Sequence, residues 1–202
     1  MLDLLDYRRQ VFALYALIRT RGSDDPAAFN QFKATRDDLF GNHPQTPLTA
    51  AQVAAFKGVQ YWEYDPAYRV VAALAPATDA QTYTLAGGDD GDIHVKQIGT
   101  VRFSLPTGDG ELGVYWIAGY GGGVFIPFRD ATNSDVTYGG GRYLYDTIKG
   151  ADLGTSDDDA LILDFNYAYH PSCYYNPRWT CPLAPPQNQL TIAVRAGEQG
   201  LI

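Results

Sequence analysis

The stretch HVKQIGTVRFSL (residues 94–105) decides the fold. Val95, Val101, Phe103 and Leu105 share one parity, while His94, Lys96, Thr100, Arg102 and Ser104 take the other. A period of two marks a strand with one face on a core and one face in water, the usual condition of an antiparallel sheet. Similar runs occur outward from it at 69–74, 81–85, 112–118, 124–128, 142–147, 161–169 and 190–195, separated by GGDDGD, TGDG, GGG and ATNSD. About eight short strands in meander order predict a mainly β fold, an antiparallel β-barrel or a two-sheet sandwich. Strand and helix do not alternate after residue 60, which argues against a parallel sheet.

The first 60 residues have a helical period instead. Leu5, Phe12 and Tyr15, with Leu4, Val11 and Ile18, recur near whole turns, which places Arg8, Arg9 and Gln10 outward. Asp25 followed by Pro26 reads as a cap and a first-turn proline, and Phe29, Phe32, Arg36 and Leu39 then mark one face up to Gly41. In LTAAQV, Thr49 and Gln52 have the spacing of a capping box, Leu48 and Val53 that of a hydrophobic staple, and Gly58 is the stop. Two or three N-terminal helices are therefore expected as a lead-in (1–60) packed on a β core (61–202), together one domain over residues 1–202.

Composition bounds the function. The chain has 202 residues, 46% of them apolar, and 15 basic against 23 acidic residues for a net charge of −8. That balance repels a phosphate backbone and no Lys/Arg cluster stands out, so nucleic acid is excluded as a partner. Acidic runs such as Asp89-Asp90 and Asp157-Asp158-Asp159 read as solvated turns. No apolar run approaches the roughly 20 residues of a membrane span, and the acidic start MLDLLDYRRQ is unlike a secretory signal, so a cytoplasmic location and no membrane partner are expected. Oligomeric state is open.

The most site-like segment is DFNYAYHPSCYYNPRWTCPLAPP (164–186), with both cysteines, four tyrosines and five prolines. Period two along 161–170 puts Leu161, Leu163, Phe165, Tyr167 and Tyr169 on one side and Asp164, Asn166, Ala168 and His170 on the other. If that polar file faces solvent it is an ordinary wet face. If it faces a cavity, Asp164, Asn166 and His170 orient a ligand and the acid–imidazole pair moves a proton. Arg129 and Arg142, beside a Pro-Phe step and a glycine run, are candidate anion clamps, although pairing with Asp130, Asp164 or Glu198 is the commoner use of such arginines. The glycines 121–123 and 139–141 open no helix and lack a Gly-Lys-Ser/Thr ending, so they read as bends or close backbone approaches rather than a phosphate loop.

Cys173 is a possible nucleophile, although a base three residues away at His170 departs from the usual arrangement, in which the two meet through the fold. Cys173 and Cys181 are open to three states: free thiols, a bridge, or a zinc site completed by His170. A bridge closing about nine residues would add about 2.6 kcal/mol in the chain-entropy picture, but a reducing cytosol opposes it. The zinc set His170, Cys173, Cys181 lacks an evident fourth ligand. No cofactor is indicated.

At FIPFRDATNSDVTYGGGRYLY and again at LDFNYAYHPSCYYNPRWTCPLAPPQNQLTIAVRAGE the chain resembles a prokaryotic family, domain of unknown function 1684. The elements that carry the likeness are Pro127-Phe128-Arg129-Asp130-Ala131-Thr132, Thr137-Tyr138-Gly139, Gly141-Arg142-Tyr143-Leu144, Asp164-Phe165-Asn166, Cys173, Cys181-Pro182-Leu183, Asn188 and Arg195-Ala196-Gly197-Glu198. Where that family's pattern has asparagine, this chain has His170. The resemblance implies a mostly β domain and no substrate. Two functions are in view: a small-molecule binding or catalytic site at one end of the sheet under the loop 170–188, or a structural or interaction module whose polar residues only pin that loop.

Overall fold

The computed structural model describes residues 2–85 and 91–200. The acidic pair Asp89-Asp90 lies outside the described residues, while Asp157, Asp158 and Asp159 form an exposed turn. Three helices lead in: α1 (Leu2–Arg21), α2 (Pro26–Gly41) and α3 (Ala50–Ala55). Asp25 caps α2 by accepting the Ala27 amide at 2.8 Å, and Thr49 with Gln52 forms the capping box of α3. Leu48 and Val53 pack together in one cluster, but α3 ends at Ala55, short of Gly58. The reading of α1 needs correction. Only Leu14, Tyr15 and Ile18 are buried, and Leu4, Leu5 and Phe12 are more than a third exposed, because α1 packs through its second half on Phe29 and Phe32 of α2 and on Ala151, Leu153 and Tyr167.

The β part comprises β1 (Arg69–Ala72), β2 (Ala75–Pro76), β3 (Thr82–Leu85), β4 (Ile93–Leu105), β5 (Gly108–Ile117), β6 (Gly123–Phe128), β7 (Arg142–Asp146) and β8 (Leu161–Asp164); a one-turn helix, α4 (Ser172–Tyr175), follows. The fold is mainly antiparallel β. β4 to β7 form the expected meander, β2 and β3 both pair with β4, and β1 pairs with β8 in a separate two-stranded sheet. The larger sheet follows an open path; among the described residues no pairing closes it.

The alternation in 94–105 holds, but its meaning changes halfway. The β4–β5 register shifts between Gln97 and Gly99, so Val95 lies opposite Ile117 whereas Val101 lies opposite Leu112. Side chains alternate faces, and one extra residue flips everything beyond it. Val101, Phe103 and Leu105 therefore enter the main core with Leu112, Val114, Ile126 and Leu163, while Val95 joins Tyr115, Phe125 and Tyr143 on the opposite face. Both faces of the sheet are buried there, not one.

One predicted strand stops short, and another does not form. Residues 161–169 leave the ladder after Asp164, because its carboxylate accepts the Asn166 amide and turns Phe165–Tyr167 into a 3-10 turn. The period-two file of 164, 166, 168 and 170 is thereby broken, and residues 163–168 are all buried. Residues 190–195 form no strand: Leu190 donates to the Arg129 carbonyl and Ile192 accepts from the Ala131 amide, but beyond them the Val194 carbonyl accepts from the Arg142 guanidinium.

Candidate functional site

Three buried polar clusters organise the end of the sheet where residues 170–188 cross it. In the first, Gly141 makes Arg142 possible: it adopts φ +92°, and a Cβ there would stand 2.3 Å from the Phe128 carbonyl oxygen. The chain so turned sends Arg142 inward, where Nη2 donates to Asp130 Oδ2 at 2.6 Å and to Val194 O at 2.8 Å, and Nη1 donates to the carbonyls of Ala196 and Glu198. Neither side chain of the pair is exposed, and the guanidinium packs 5.1 Å from the Phe128 ring centre and 5.4 Å from that of Trp62. Burial lowers the Arg142 pKa, and Asp130 opposes that shift.

The second cluster is centred on Glu198. Gly197, at φ +80° with the Ala168 carbonyl 2.6 Å from where its Cβ would be, lets the chain bring this carboxylate into the interior. Glu198 accepts from Arg36, from Tyr61 Oη at 3.2 Å, from Tyr175 Oη at 2.7 Å and from the His170 amide at 2.7 Å. Its burial is complete, which by itself raises a carboxyl pKa, yet Arg36 and His170 outweigh that and hold Glu198 at about 2. His170 Nδ1 lies 3.3 Å from Glu198 Oε2, off the line of a good hydrogen bond, and Nε2 accepts the Tyr138 amide at 3.3 Å. Burial lowers the pKa of this imidazole against the opposing pull of Glu198, and its ring lies against Tyr174 at 4.1 Å.

The third cluster is Asp164 with Asn166. Asn166 accepts the Asp65 amide at 3.0 Å, donates to the Asp65 carbonyl at 2.9 Å and donates to Asp164 Oδ1 at 2.8 Å, so the pair clamps the turn that enters β1. Asp164 Oδ2 makes no hydrogen bond, and burial raises this carboxyl to about 6. The sign of the consequence is fixed. Between about pH 6 and pH 4 the folded state binds a proton at Asp164 that the unfolded chain does not, so this group's contribution to stability grows as pH falls through that window and is lost as pH rises. Relative to Asp164→Asn, wild type is expected to gain about 2 kcal/mol between pH 7 and pH 4, read from urea unfolding at the two pH values. A difference that does not change with pH would mean the carboxyl is not buried.

Of the five expected ligand-binding residues, Arg142, Asp164, Asn166 and His170 thus occupy three separate clusters rather than one wall. Arg129, half-buried after β6, leaves Nε without a hydrogen bond and lies close enough to Tyr138 for its charge to act on that phenol. Both cysteines are free and half-buried. The zinc set His170, Cys173, Cys181 does not assemble: His170 is directed at Glu198 and Tyr138, and among the described residues no three His, Cys, Asp or Glu side chains converge as a cation site.

A different arrangement borders the cysteines. A cleft of about 540 Å³ runs between β3 (Tyr83, Thr84, Leu85), Tyr138, Cys173 on α4, and the stretch 179–186 with Trp179, Cys181 and Leu183. Its outer wall is tied down: Tyr143 Oη donates to the Pro182 carbonyl, Trp179 Nε1 donates to Pro47 O at 3.3 Å, and Gln52 Nε2 donates to Tyr175 O at 2.9 Å. Asn188 closes the segment, accepting the Gly113 amide at 2.8 Å and donating to Pro127 O at 2.7 Å. Glu198 and Arg36 as a buried hub, and Tyr138 and Trp179 as cleft walls, went unpicked as site residues in the sequence. Glu198 and Tyr138 lie within the elements 195–198 and 137–139 that carry the family likeness, and Arg36 lies on the helical face shared with Phe29, Phe32 and Leu39, where a charge among apolar residues signals a buried partner, whereas no local pattern marks Trp179.

Fold and site together define an antiparallel β domain with a helical lead-in and a cysteine-bearing cleft beneath a pinned loop. The chain belongs to the family described as Protein of unknown function (DUF1684), whose model matches residues 54–199. It is similar to the solution NMR structure of an uncharacterized protein of Haloarcula marismortui, with 34% identity, a TM-score of 0.60, and coverage of 84% of this chain and 92% of that one. No curated protein matches. No helix among the described residues is long and apolar enough to cross a membrane.

Proposed function

We propose that this protein is a small-molecule-binding domain, its ligand held in the cleft between β3, Tyr138 and the loop 170–188, with lead-in and β core acting as one domain and its two sheets as a sandwich. The observation that carries this reading is the cleft itself, about 540 Å³ and walled by Tyr83, Tyr138, Trp179 and Leu183 around two thiols. Its size lies in the range of small-molecule sites, and aromatic walls with few polar groups are their usual lining. The buried clusters at Asp130–Arg142, Glu198 and Asp164–Asn166 favour a pinning role for those residues: they hold the loop so that the cleft is pre-formed. Arg129 is near enough to Tyr138 for its charge to act on that phenol, but its Nε is buried and it is not among the residues that line the cleft.

A fragment library screened by thermal shift tests the reading. A compound at 100 times its Kd is expected to add about 2.7 kcal/mol, a rise of roughly 5–10 °C for a chain of this size. Thr180 is exposed and borders the cleft, so Thr180→Trp fills it without touching the core, and the rise should vanish in that variant. Equal shifts in both proteins would place the ligand elsewhere, and a library without a single hit would remove the proposal.

A further inference from the structure

We propose that Cys181 and Cys173 are a dithiol pair that exchanges with a small disulfide bound in this cleft, Cys181 as the attacking thiol and Cys173 as the resolving one. The inference rests on the cleft being a ligand site and names the class of its substrate. Three observations of placement carry it. The two cysteines, separated by seven residues of sequence, both line one solvent-open cleft. Neither is bridged, and each is half-buried, accessible to a small molecule and shielded from a large one. Each thiol stands close enough to act on the ionisation of the other, and Tyr138 Oη stands 3.9 Å from Cys173 Sγ.

The division of labour follows from what surrounds each sulfur. A thiolate at Cys181 receives the Cys173 thiol and the backbone N–H groups of Cys173 and Ser172, with Lys149 adding positive charge; the Cys173 contact contributes most, and Cys181 is drawn down to about 6. A thiolate is the attacking form, so Cys181 is armed near neutral pH. Cys173 is pushed the other way, first by its hydrogen bond to Cys181 and then by burial, and it keeps its proton while Cys181 is charged. His170 is not the base for either thiol, since both its ring nitrogens face Glu198 and Tyr138.

The steps balance. Cys181 thiolate attacks one sulfur of R–S–S–R′; the new Sγ–S bond forms as the S–S bond breaks, and R′S⁻ departs and is protonated. Cys181 is then neutral, the charge that held the proton on Cys173 is gone, and Cys173 ionises, its thiolate accepting a hydrogen bond from Tyr138. It attacks Cys181 Sγ, the Cys173–Cys181 bond forms and RS⁻ leaves. The protein dithiol loses two electrons, the substrate disulfide gains them, and the two thiol protons end on the two products. Pro171, Pro177, Pro182, Pro185 and Pro186 stiffen the loop that must hold both sulfurs in reach.

The test uses the reduced full-length chain with one equivalent of dithiobis(nitrobenzoate), following released nitrothiobenzoate and intact mass. Wild type is expected to release two anions per chain and to end about two mass units lighter with no adduct, as a new intramolecular bridge requires. Cys173→Ser should stop at one anion, with nitrothiobenzoate held on Cys181. Cys181→Ser should react at least tenfold more slowly, and the wild-type rate should rise with a midpoint near pH 6, where Cys181 ionises, rather than near the ordinary thiol value of about 8.5. Adducts on both cysteines without a bridge, or equal rates in wild type and Cys181→Ser, would overturn the proposal. Fragment binding in a Cys173→Ser, Cys181→Ser double variant separates the two readings: binding there with no exchange in wild type sinks the dithiol chemistry and leaves the cleft standing. Exchange without any fragment binding, unaltered by Thr180→Trp, sinks the cleft as its site.

Discussion

Arg142→Leu is expected to destabilise the protein by about 3–5 kcal/mol, because removing one partner of a buried ion pair leaves the other charge uncompensated. The uncompensated group is Asp130, whose side chain has no exposure. Arg142 also donates to the carbonyls of Val194, Ala196 and Glu198, and that guanidinium stands where a ladder would otherwise tie residues 194–198 to the sheet. Each buried carbonyl left without its donor adds about 1–3 kcal/mol, so the upper end of the range is the expected one. At roughly 2–4 °C per kcal/mol, the melting temperature should fall by about 10 °C or more. Adding Asp130→Leu should recover only part of the loss, since it removes the orphaned charge but not the orphaned carbonyls. Urea unfolding followed by circular dichroism measures all three proteins; a loss under about 1 kcal/mol for the single variant would contradict a buried, fully engaged guanidinium.

Glu198→Ala should cost as much, about 3–5 kcal/mol, for the complementary reason. It strips the countercharge from Arg36, whose side chain is 11% exposed, and leaves the hydroxyl of Tyr175 and the amide of His170 without their acceptor. A pH signature distinguishes this carboxylate from a merely packed side chain. Its folded pKa, about 2, lies below the unfolded value near 4.5, so its stabilisation is complete above about pH 4.5 and is lost as pH falls through 2. That loss amounts to about 3 kcal/mol in wild type and should be missing from the acid limb of Glu198→Gln. Asp164 acts in the opposite sense between about pH 6 and pH 4, so the two carboxyls bend the stability profile in adjacent windows and are separable by their variants.

Much of the architecture was legible because it depends on local chemistry. Turn residues bounded β4, β6 and β7 closely, whereas β5 begins at Gly108, inside the TGDG stretch read as a turn; the meander order followed, since strands joined by short loops pair with their neighbours. The caps at Asp25 and Thr49 were readable because the group that satisfies the first amides of a helix lies within three residues of them. Reading failed where a distant partner overrode the local pattern. At 161–169 the alternation was present, but the Asp164 carboxylate took the Asn166 amide and Asn166 took the Asp65 backbone. At 190–195 the segment bonds to the backbone of residues 129–131 only as far as Ile192, and beyond it the Arg142 guanidinium takes the Val194 carbonyl.

The candidate site divides in the same way. Sequence by itself determined that the chain is mainly antiparallel β with a capped helical lead-in, and that the polar and thiol chemistry gathers at 129–142 and 164–188, because composition and period are properties of neighbours along the chain. Which of those residues meet was decided by tertiary structure alone. Arg36 reaches Glu198 across 162 positions, and Asn166 reaches Asp65 across 101. Val95 changed faces because a single bulge at Gln97/Gly99 shifted the pleat. Cys173 and Cys181 share a cleft with Tyr83 and Tyr138 because the loop is anchored at both ends by hydrogen bonds to residues far away in sequence. Buried charges and orphaned backbone groups cost several kcal/mol each, so their partners are chosen by proximity in the folded core, which no spacing along the chain encodes.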